Sequence, residues 1–390
     1  MVNKFSLIRT PMILFGRERA EELPGLLKNR GRNILIITGS KSYMLYPGIG
    51  KTLLALEKSV HSLHFDKIEK EPSPDDIDRI VSRYKQHALD AVVAIGGGSV
   101  VDTGKAVSAM LPLEGSVRNY IEGVGTRTHP GLKKYFIAIP TTSGTGSEAT
   151  SNAVLSETGI NGYKRSLRHE NLVPDLALID PVLMISCPPE VTAASGLDAF
   201  TQLIESYLSV KSNPLTDALA LEGISKVHHC LITAVTRGDD IDARSGMAYA
   251  ALLSGITLAN AGLGLIHGYA SSVGGLINVP HGVICGTMMG VVNRYNIRAL
   301  LKESGVSGTH LKYGLLGKLF SGSDGKKVQW YMQYAADYID NLTEELKMKR
   351  LGGFGISEAD LGSIAEKTDH KANPVKFEKQ ELIEMLRERL

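Results

Sequence analysis

The sequence predicts an α/β domain with a parallel sheet, followed by an all-α domain. A chain of 390 residues exceeds what one ordinary hydrophobic core holds, so two domains are expected. In the first half, short apolar runs of β type alternate with helical patterns, which is typical of a parallel sheet covered on both faces. After Asp180-Pro181 the strand signals largely stop. We therefore expect an α/β domain over residues 1–183 and a helical domain over residues 184–390.

The predicted strands are continuous apolar runs, and helical patterns separate them. The strands are Asn33–Thr38, Ser62–Phe65, Ala91–Ile95, Tyr135–Ile139 and Asp175–Ile179. Pro74–His87 and Asp102–Met110 carry apolar residues at helical spacing. Pro188 and Pro189 then open a helical region that continues to the last residues, where 381–386 indicate an amphipathic surface helix.

Composition narrows the class of protein. The formal net charge is +2 and no basic stripe is present, which argues against a nucleic-acid partner. The three cysteines form no pair motif, and their odd number argues against a disulfide framework, so a reducing cytoplasm is expected. The N-terminus lacks the apolar core of a signal peptide.

One long segment, Met247–Asn293, contains no Asp, Glu, Lys or Arg. That length of uncharged chain would be enough for a membrane span. The segment is nevertheless rich in Gly, Ala and Ser and contains Asn260, His267 and His281, whereas a lipid-facing helix is more uniformly aliphatic. We therefore expect buried helices in a large α domain and no membrane contact.

Two loops at strand ends have the composition of a dinucleotide site. The first of these loops is Gly96-Gly97-Gly98-Ser99, the turn between the strand Ala91–Ile95 and the helix that follows it. Backbone N–H groups and the helix dipole favour phosphate there. The second loop, Pro140–Glu148, is rich in Thr, Ser and Gly. A tight turn explains the first loop alone and helix capping the second, but two such loops after strands favour a dinucleotide crevice.

Four residues of the second half suggest a metal site. Asp198 and Gln202 are one helical turn apart, so they share a helix face. His267 and His281 follow in the uncharged segment, and a carboxylate with two imidazoles suits Fe²⁺ or Zn²⁺. Gln202 offers only a neutral amide oxygen, a weaker ligand. The alternative is that these groups hydrogen-bond one another without metal.

These motifs together resemble the iron-containing (group III) alcohol dehydrogenases. The matching segments span nearly the whole chain: Gly96–Ser99 with Asp102 and Lys105, Pro140–Glu148, Pro174-Asp175, Asp180-Pro181, Ser195–Ala199, Gly264–His267, Val279–Gly282 and Asn373-Pro374. The resemblance implies a dehydroquinate-synthase-like fold with nicotinamide between the domains. It also implies hydride transfer between small alcohols and aldehydes or ketones, in a homo-oligomer.

The resemblance also assigns roles to single residues. Cofactor contacts are implied for Gly97, Gly98, Ser99, Asp102, Thr141, Thr142, Thr145 and Lys164. Asp198, His267 and His281 match three of the family's four metal ligands and would be the catalytic residues. The fourth ligand is a histidine in the family, at the position of Gln202, which is retained here as a weak candidate ligand.

A second departure concerns proton transfer. The family carries an active-site histidine at the position of Ser271, so general acid catalysis through that residue is unavailable. A metal-independent reductase of the same fold, as in the maleylacetate reductases, and a non-catalytic nucleotide-binding protein both stay open. Lyase chemistry of the dehydroquinate synthase type is disfavoured, because the helical segments of the site supply few Lys or Arg residues.

The turn after the first strand bears on the choice of nicotinamide cofactor. NAD-preferring relatives carry an Asp at the position of Gly39, which bonds the ribose hydroxyls and repels a 2′-phosphate. Here Gly39, Ser40, Lys41 and Ser42 lack that carboxylate and would accept the phosphate. We therefore expect NADP(H), with NAD(H) as the second choice. A simple polar turn is the alternative.

Overall fold

The first domain is built on a six-stranded parallel sheet. The computed structural model describes residues 4–28, 30–39, 48–159 and 162–390. Its strands are β1 (Met12–Phe15), β2 (Asn33–Thr38), β3 (Ser62–Lys67), β4 (Ala91–Gly96), β5 (Tyr135–Pro140), β6 (Asn152–Glu157), β7 (Tyr163–Arg168) and β8 (Leu176–Ile179). The sheet order is β1-β8-β5-β4-β2-β3, and every pair in it is parallel. β6 and β7 form a separate antiparallel pair.

Helices cover both faces of this sheet, as the sequence predicts. They are α1 (Leu23–Leu27), α2 (Ile49–Ser59), α3 (Pro74–Tyr84) and α4 (Gly98–Met110). Alternate residues of β2 point to opposite faces: Ile34 and Ile36 pack with the core of α1 and α2, whereas Leu35 and Ile37 pack with that of α3 and α4. Burial on both faces explains why the central strands are continuous apolar runs.

The strand order reverses between β2 and β4. The chain passes from β2 to β3 on one side of the sheet, and from β4 to β5 on the other. Thr38 and Ile95 are register partners, so the loops that follow β2 and β4 begin side by side. In open α/β sheets this topological switch point, at the carboxyl ends of the strands, is where ligands bind.

The second domain is helical. Its helices are α5 (Pro189–Leu208), α6 (Pro214–Thr236), α7 (Ile241–Ala261), α8 (Leu265–Leu276), α9 (His281–Leu300), α10 (Gly308–Ser321), α11 (Val328–Glu345), α12 (Glu358–Lys367) and α13 (Lys379–Arg387). The uncharged segment forms the end of α7, all of α8 and the start of α9, and most of it is buried. Within the described residues no single helix has the length and apolarity to cross a membrane. Only α7 and α8 taken together, with a bend of 96° between them, reach that length and apolarity.

The predicted fold class is confirmed, and the structure adds three strands. Each predicted strand is present within two residues of its expected ends. β1 is an edge strand of only four residues, Met12–Phe15, with Met12 60% exposed, so its apolar run is shorter than those of the central strands. β6 and β7 lie outside the main sheet and carry polar residues such as Lys164 and Arg165. The boundary between residues 183 and 184 falls between β8 and α5 and stays a prediction.

Candidate active site

Three helices bring the predicted metal ligands together. Asp198 lies in α5, His267 in α8, and His281 is the first residue of α9. Asp198 Oδ1 is 3.4 Å from His267 Nε2 and 3.6 Å from His281 Nε2. Asp198 and His267 are almost fully buried, whereas a quarter of the His281 side chain is exposed. The three residues therefore form a cluster with one side open.

Cys285 completes this cluster, and the sequence reasoning missed it. It lies one turn after His281 in α9 and is fully buried. Its Sγ is 3.7 Å from His267 Nε2 and 3.7 Å from His281 Nε2. One ligand atom from each of the four residues lies within 4.8 Å of the others. The four-residue spacing from His281 was visible in the sequence and is the signal that could have identified Cys285.

Glu205 is a second missed residue, and it orients His267. It lies seven residues after Asp198, two turns along the same face of α5. Its Oε2 is 2.6 Å from His267 Nδ1, and its Oε1 accepts a hydrogen bond of 2.6 Å from the backbone N–H of Ile266. A carboxylate on Nδ1 fixes the ring so that Nε2 faces the cluster, the arrangement typical of metal-binding histidines.

Electrostatics in the cluster favour one ionised carboxylate. Burial alone would raise the pKa of Asp198, but His281 and His267 beside it hold that pKa at about 2. Burial lowers the pKa of His281 to about 4, against the attraction of Asp198, so its imidazole is neutral and can act as a ligand.

The other two members hold protons in this state. Burial opposes protonation of His267, yet the neighbouring Cys285 and Glu205 raise its pKa well above the usual value. Burial raises the pKa of the Cys285 thiol to about 12. A cation binding here would displace these protons, since metal ligands bind in their deprotonated forms.

The donor set fits a divalent cation. Asp198 Oδ1 is buried and has no hydrogen-bond partner among the described residues. A buried, charged carboxylate oxygen without a partner is costly unless a cation compensates it. Carboxylate, two imidazoles and a thiol are ligands that Zn²⁺ and Fe²⁺ accept.

Gln202 and Ser271, the two residues that depart from the family pattern, both form hydrogen bonds outside the cluster. Gln202 is buried on the same face of α5 as Asp198, and its Oε1 accepts a hydrogen bond of 2.7 Å from Ser254 Oγ in α7. Ser271 Oγ donates to the carbonyl of His267 at 2.9 Å, within its own helix. Metal ligation by Gln202 stays a prediction, and the Ser271 hydroxyl is committed to its own backbone.

The two predicted cofactor loops meet at the carboxyl edge of the sheet. Gly97 is the N-cap of α4 and Gly98 its first residue. A Cβ on Gly98 would lie 2.5 Å from Thr145 Cγ2, and one on Gly97 would lie 3.4 Å from Thr142 Oγ1. The backbone N–H of Thr141 donates to the carbonyl of Gly96 at 3.0 Å. Ser99, in the first turn of α4, lies beside this junction.

Two residues of α4 fix the second loop from beneath. The buried Lys105 Nζ donates to Ser147 O at 2.8 Å and to Asn152 O at 2.7 Å. Asp102 accepts hydrogen bonds from the Ser147 hydroxyl and from Val154 N. The Asp102 carboxylate is therefore engaged in positioning the loop, and its predicted cofactor contact is untested.

The same loop also docks on the helical domain. Gly146 has φ +60°, and a Cβ there would lie 2.4 Å from the backbone N of Gly255 in α7. A Cβ on Gly144 would lie 2.6 Å from Ser195 Cβ in α5. Close approach of this kind requires glycine. The loop therefore contacts α5, which carries Asp198 and Gln202, and α7, which carries the Ser254 partner of Gln202.

Lys164, in the antiparallel strand pair, also lies near the cluster. It lies in β7, pairs with Glu71 at 2.5 Å, and its side chain is almost fully buried. A Cβ on Gly274 of α8 would lie 3.1 Å from Lys164 Cδ, so the lysine packs on the helix that carries His267. Its charge contributes to the lowered pKa of His281. Gly39 follows β2 at the switch point, whereas Ser40, Lys41 and Ser42 lie outside the described residues.

Known proteins are similar to this chain in sequence and fold over both domains. The model of the iron-containing alcohol dehydrogenase domain matches residues 10–181, and that of the C-terminal domain of the same family matches residues 192–390. Alcohol dehydrogenase 4 of Saccharomyces cerevisiae is 31% identical over 384 residues, covering 97% of this chain and 96% of that protein. The 1,3-propanediol dehydrogenase of Citrobacter freundii is 32% identical over 92% of this chain and 91% of its own length.

A solved structure gives the same result. The alcohol dehydrogenase from Oenococcus oeni superposes with a TM-score of 0.87 at 27% identity, covering 99% of this chain and all of that one. The likeness therefore extends over both domains and the cleft between them.

Proposed function

Because the chain belongs to the iron-containing alcohol dehydrogenase family, and is an oxidoreductase that moves hydride between a nicotinamide cofactor and an alcohol or its carbonyl product, we propose that Asp198, His267 and His281 hold the divalent cation of this reaction. The observation that carries the proposal is the unpartnered, buried Asp198 Oδ1, 3.4 and 3.6 Å from the two imidazole nitrogens. A bound cation would polarise the carbonyl, or acidify the alcohol, at the open side of the cluster.

The residues of the chain have distinct tasks in this scheme. Glu205 holds His267 with Nε2 toward the cluster, through the 2.6 Å contact at Nδ1. Asp198 keeps its negative charge, since its pKa is about 2. The burial of both side chains excludes water, which strengthens each of these electrostatic contacts.

The α/β domain supplies the cofactor site. The backbone N–H groups of Gly98 and Ser99, at the N-terminus of α4, would receive the pyrophosphate. Thr142 and Thr145 lie against the same turn, and the charge of Lys164 acts on His281. With phosphate at this turn and metal at the helical cluster, the nicotinamide ring would lie between the domains.

We assign NADP(H) as the preferred cofactor. Gly39 brings no carboxylate to the switch point, so a 2′-phosphate would meet no repulsion from this residue. The test is Gly39→Asp, which introduces that repulsion. It should lower kcat/KM for NADPH about tenfold or more while sparing NADH, a difference of ~1.4 kcal/mol. A lower KM for NADH than for NADPH in the unchanged enzyme would refute the assignment.

The metal proposal is tested by NADPH oxidation with a panel of short aldehydes and ketones. Chelator-treated enzyme is compared with the same sample after addition of Fe²⁺ or Zn²⁺, the two cations that suit this donor set. Activity that is lost on chelation and restored by the cation supports the proposal. Equal activity in both samples would instead indicate a metal-independent reductase of the same fold.

Two substitutions locate the effect. Asp198→Ala and His281→Ala should both abolish the chelator-sensitive activity and the bound metal measured by elemental analysis, because each removes one ligand atom. The matched control is Asp239→Ala, which removes an exposed carboxylate from the loop before α7. If both cluster variants kept full activity and full metal content, the cation would not lie at this cluster.

A further inference from the structure

We propose that Cys285 supplies the fourth protein ligand of the cation, as a thiolate, in place of the histidine that the family carries at position 202. The inference rests on the proposed function, because it concerns the same cation. It adds a ligand that the family pattern does not contain. It also predicts that Cys285 binds the cation and that Cys187 and Cys230 do not.

The distances in the cluster match a tetrahedral site with one sulfur ligand. With ligand bonds of about 2.0–2.1 Å to N and O and about 2.3 Å to S, tetrahedral edges are roughly 3.4 Å for N···O and roughly 3.6 Å for S···N. The observed N···O separations from Asp198 are 3.4 and 3.6 Å. The observed separations from Cys285 Sγ to the imidazole nitrogens are 3.7 and 3.7 Å. These four of the six tetrahedral edges agree within about 0.2 Å of these values, and the other two lie within the 4.8 Å extent of the cluster.

Helix spacing explains how the substitution is compensated. In the family pattern, Asp198 and position 202 would form one ligand pair, four residues apart on α5. In this chain His281 and Cys285 form a pair with the same spacing on α9. Residues four apart lie on one face of a helix, so the second pair reaches the same point from another helix. Asp198, His267 and His281 belong to both sets, so only the fourth ligand moves from α5 to α9.

Gln202 does not compete for this position. Its Oε1 accepts the 2.7 Å hydrogen bond from Ser254, which is itself buried in α7. A neutral amide oxygen is also a weaker ligand than a thiolate for Zn²⁺. The unpartnered Asp198 Oδ1 belongs to one cluster with Cys285 and the two imidazoles, so these four groups would surround the cation and a substrate oxygen would add a fifth ligand from the open side.

Sulfur ligation gives a signal that oxygen and nitrogen ligands do not. Enzyme loaded with Co²⁺ should show an intense thiolate-to-metal charge-transfer absorption in the near ultraviolet, and Cys285→Ser should lose it. The serine variant should also bind Zn²⁺ more weakly, by more than the roughly 10- to 100-fold loss typical of residues that only support ligands. Cys230→Ser is the matched control, because Cys230 lies in α6 outside the cluster.

A measurement on the unchanged protein covers the case in which Cys285→Ser fails to fold. X-ray absorption of the zinc-loaded enzyme should show one sulfur neighbour at about 2.3 Å beside N and O neighbours. A zinc-loaded enzyme with N and O neighbours alone, or a cobalt-loaded one without the charge-transfer band, would overturn the sulfur ligand and leave the metal function standing. An enzyme that binds neither cation would overturn both.

Discussion

Glu205→Gln isolates the orientation of one ligand from the presence of the cluster. The substitution keeps the size of the side chain and removes one acceptor oxygen. In the structure both carboxylate oxygens are used, by His267 Nδ1 and by the backbone N–H of Ile266, each at 2.6 Å. A glutamine can satisfy only one of these donors, because its second terminal atom is an NH₂ group.

The magnitude follows from the unsatisfied donor and from the tautomer. A buried donor left without an acceptor costs about 1–3 kcal/mol of folding free energy. If the amide oxygen stays with Ile266, the NH₂ group faces His267 Nδ1 and favours the tautomer with its proton on Nε2. That proton blocks the nitrogen that faces Asp198. Loss of such a supporting carboxylate lowers metal affinity roughly 10- to 100-fold.

The assay is a metal titration against a competing chelator, together with urea unfolding of the metal-free protein. Glu205→Gln should bind Zn²⁺ roughly 10- to 100-fold more weakly. Its free energy of unfolding should be lower by about 1–3 kcal/mol. The matched control is Glu222→Gln, whose carboxylate forms an exposed i,i+4 pair with Lys226. Unchanged zinc affinity in Glu205→Gln would refute the view that this carboxylate sets the ring of His267.

Three further predictions concern stability. Gly255→Ala should lower the free energy of unfolding by ~1–3 kcal/mol, because the new Cβ would lie 2.2 Å from Gly146 O. Gly362→Ala in α12, where the new Cβ would have no atom within 4 Å, should instead raise the free energy of unfolding by ~0.5–1 kcal/mol. Equal effects of the two substitutions in thermal unfolding would contradict this packing. Burial raises the pKa of Glu148 from 4.5 to about 7, so the folded state binds more protons in that window and stability falls as pH rises through it. Glu148→Gln should flatten this fall between about pH 5 and about pH 8 in urea unfolding, and an unchanged slope would show that Glu148 is not its source.

The central strands could be predicted because burial on both faces leaves an unmistakable sequence pattern. Ile34 through Ile37 are all fully buried, and an uninterrupted apolar run of this length is typical of a strand with helices on both sides. The hairpin of β6 and β7 has no such pattern, since Lys164 and Arg165 interrupt it and Lys164 itself packs on α8 of the helical domain. Its fold depends on contacts that are distant in sequence.

The cluster was only partly predictable for a related reason. Asp198, His267 and His281 were identified by residue type, spacing and their match to the family's ligands, whereas the sequence analysis did not single out Cys285 or Glu205. Glu205 becomes meaningful only when α8 is placed against α5, which brings its carboxylate to His267. Lys105 is similar, because its role depends on a loop 42 residues later in the chain.

The glycine contacts of the second cofactor loop govern how the cleft can open. At Gly144 and Gly146 the loop meets α5 and α7 through backbone or Cβ atoms, which have no rotatable arm to absorb a displacement. A rotation of the sheet that broke the hydrogen bonds of this loop to Lys105 and Asp102 of α4 would leave the segment with the helices, and the chain would flex at its junction with β5. The distance from Thr145 to the Asp198 cluster would then stay the same during the rotation. Cofactor exchange would change the floor of the crevice, formed by α4, and leave the spacing between that threonine and the reaction centre untouched.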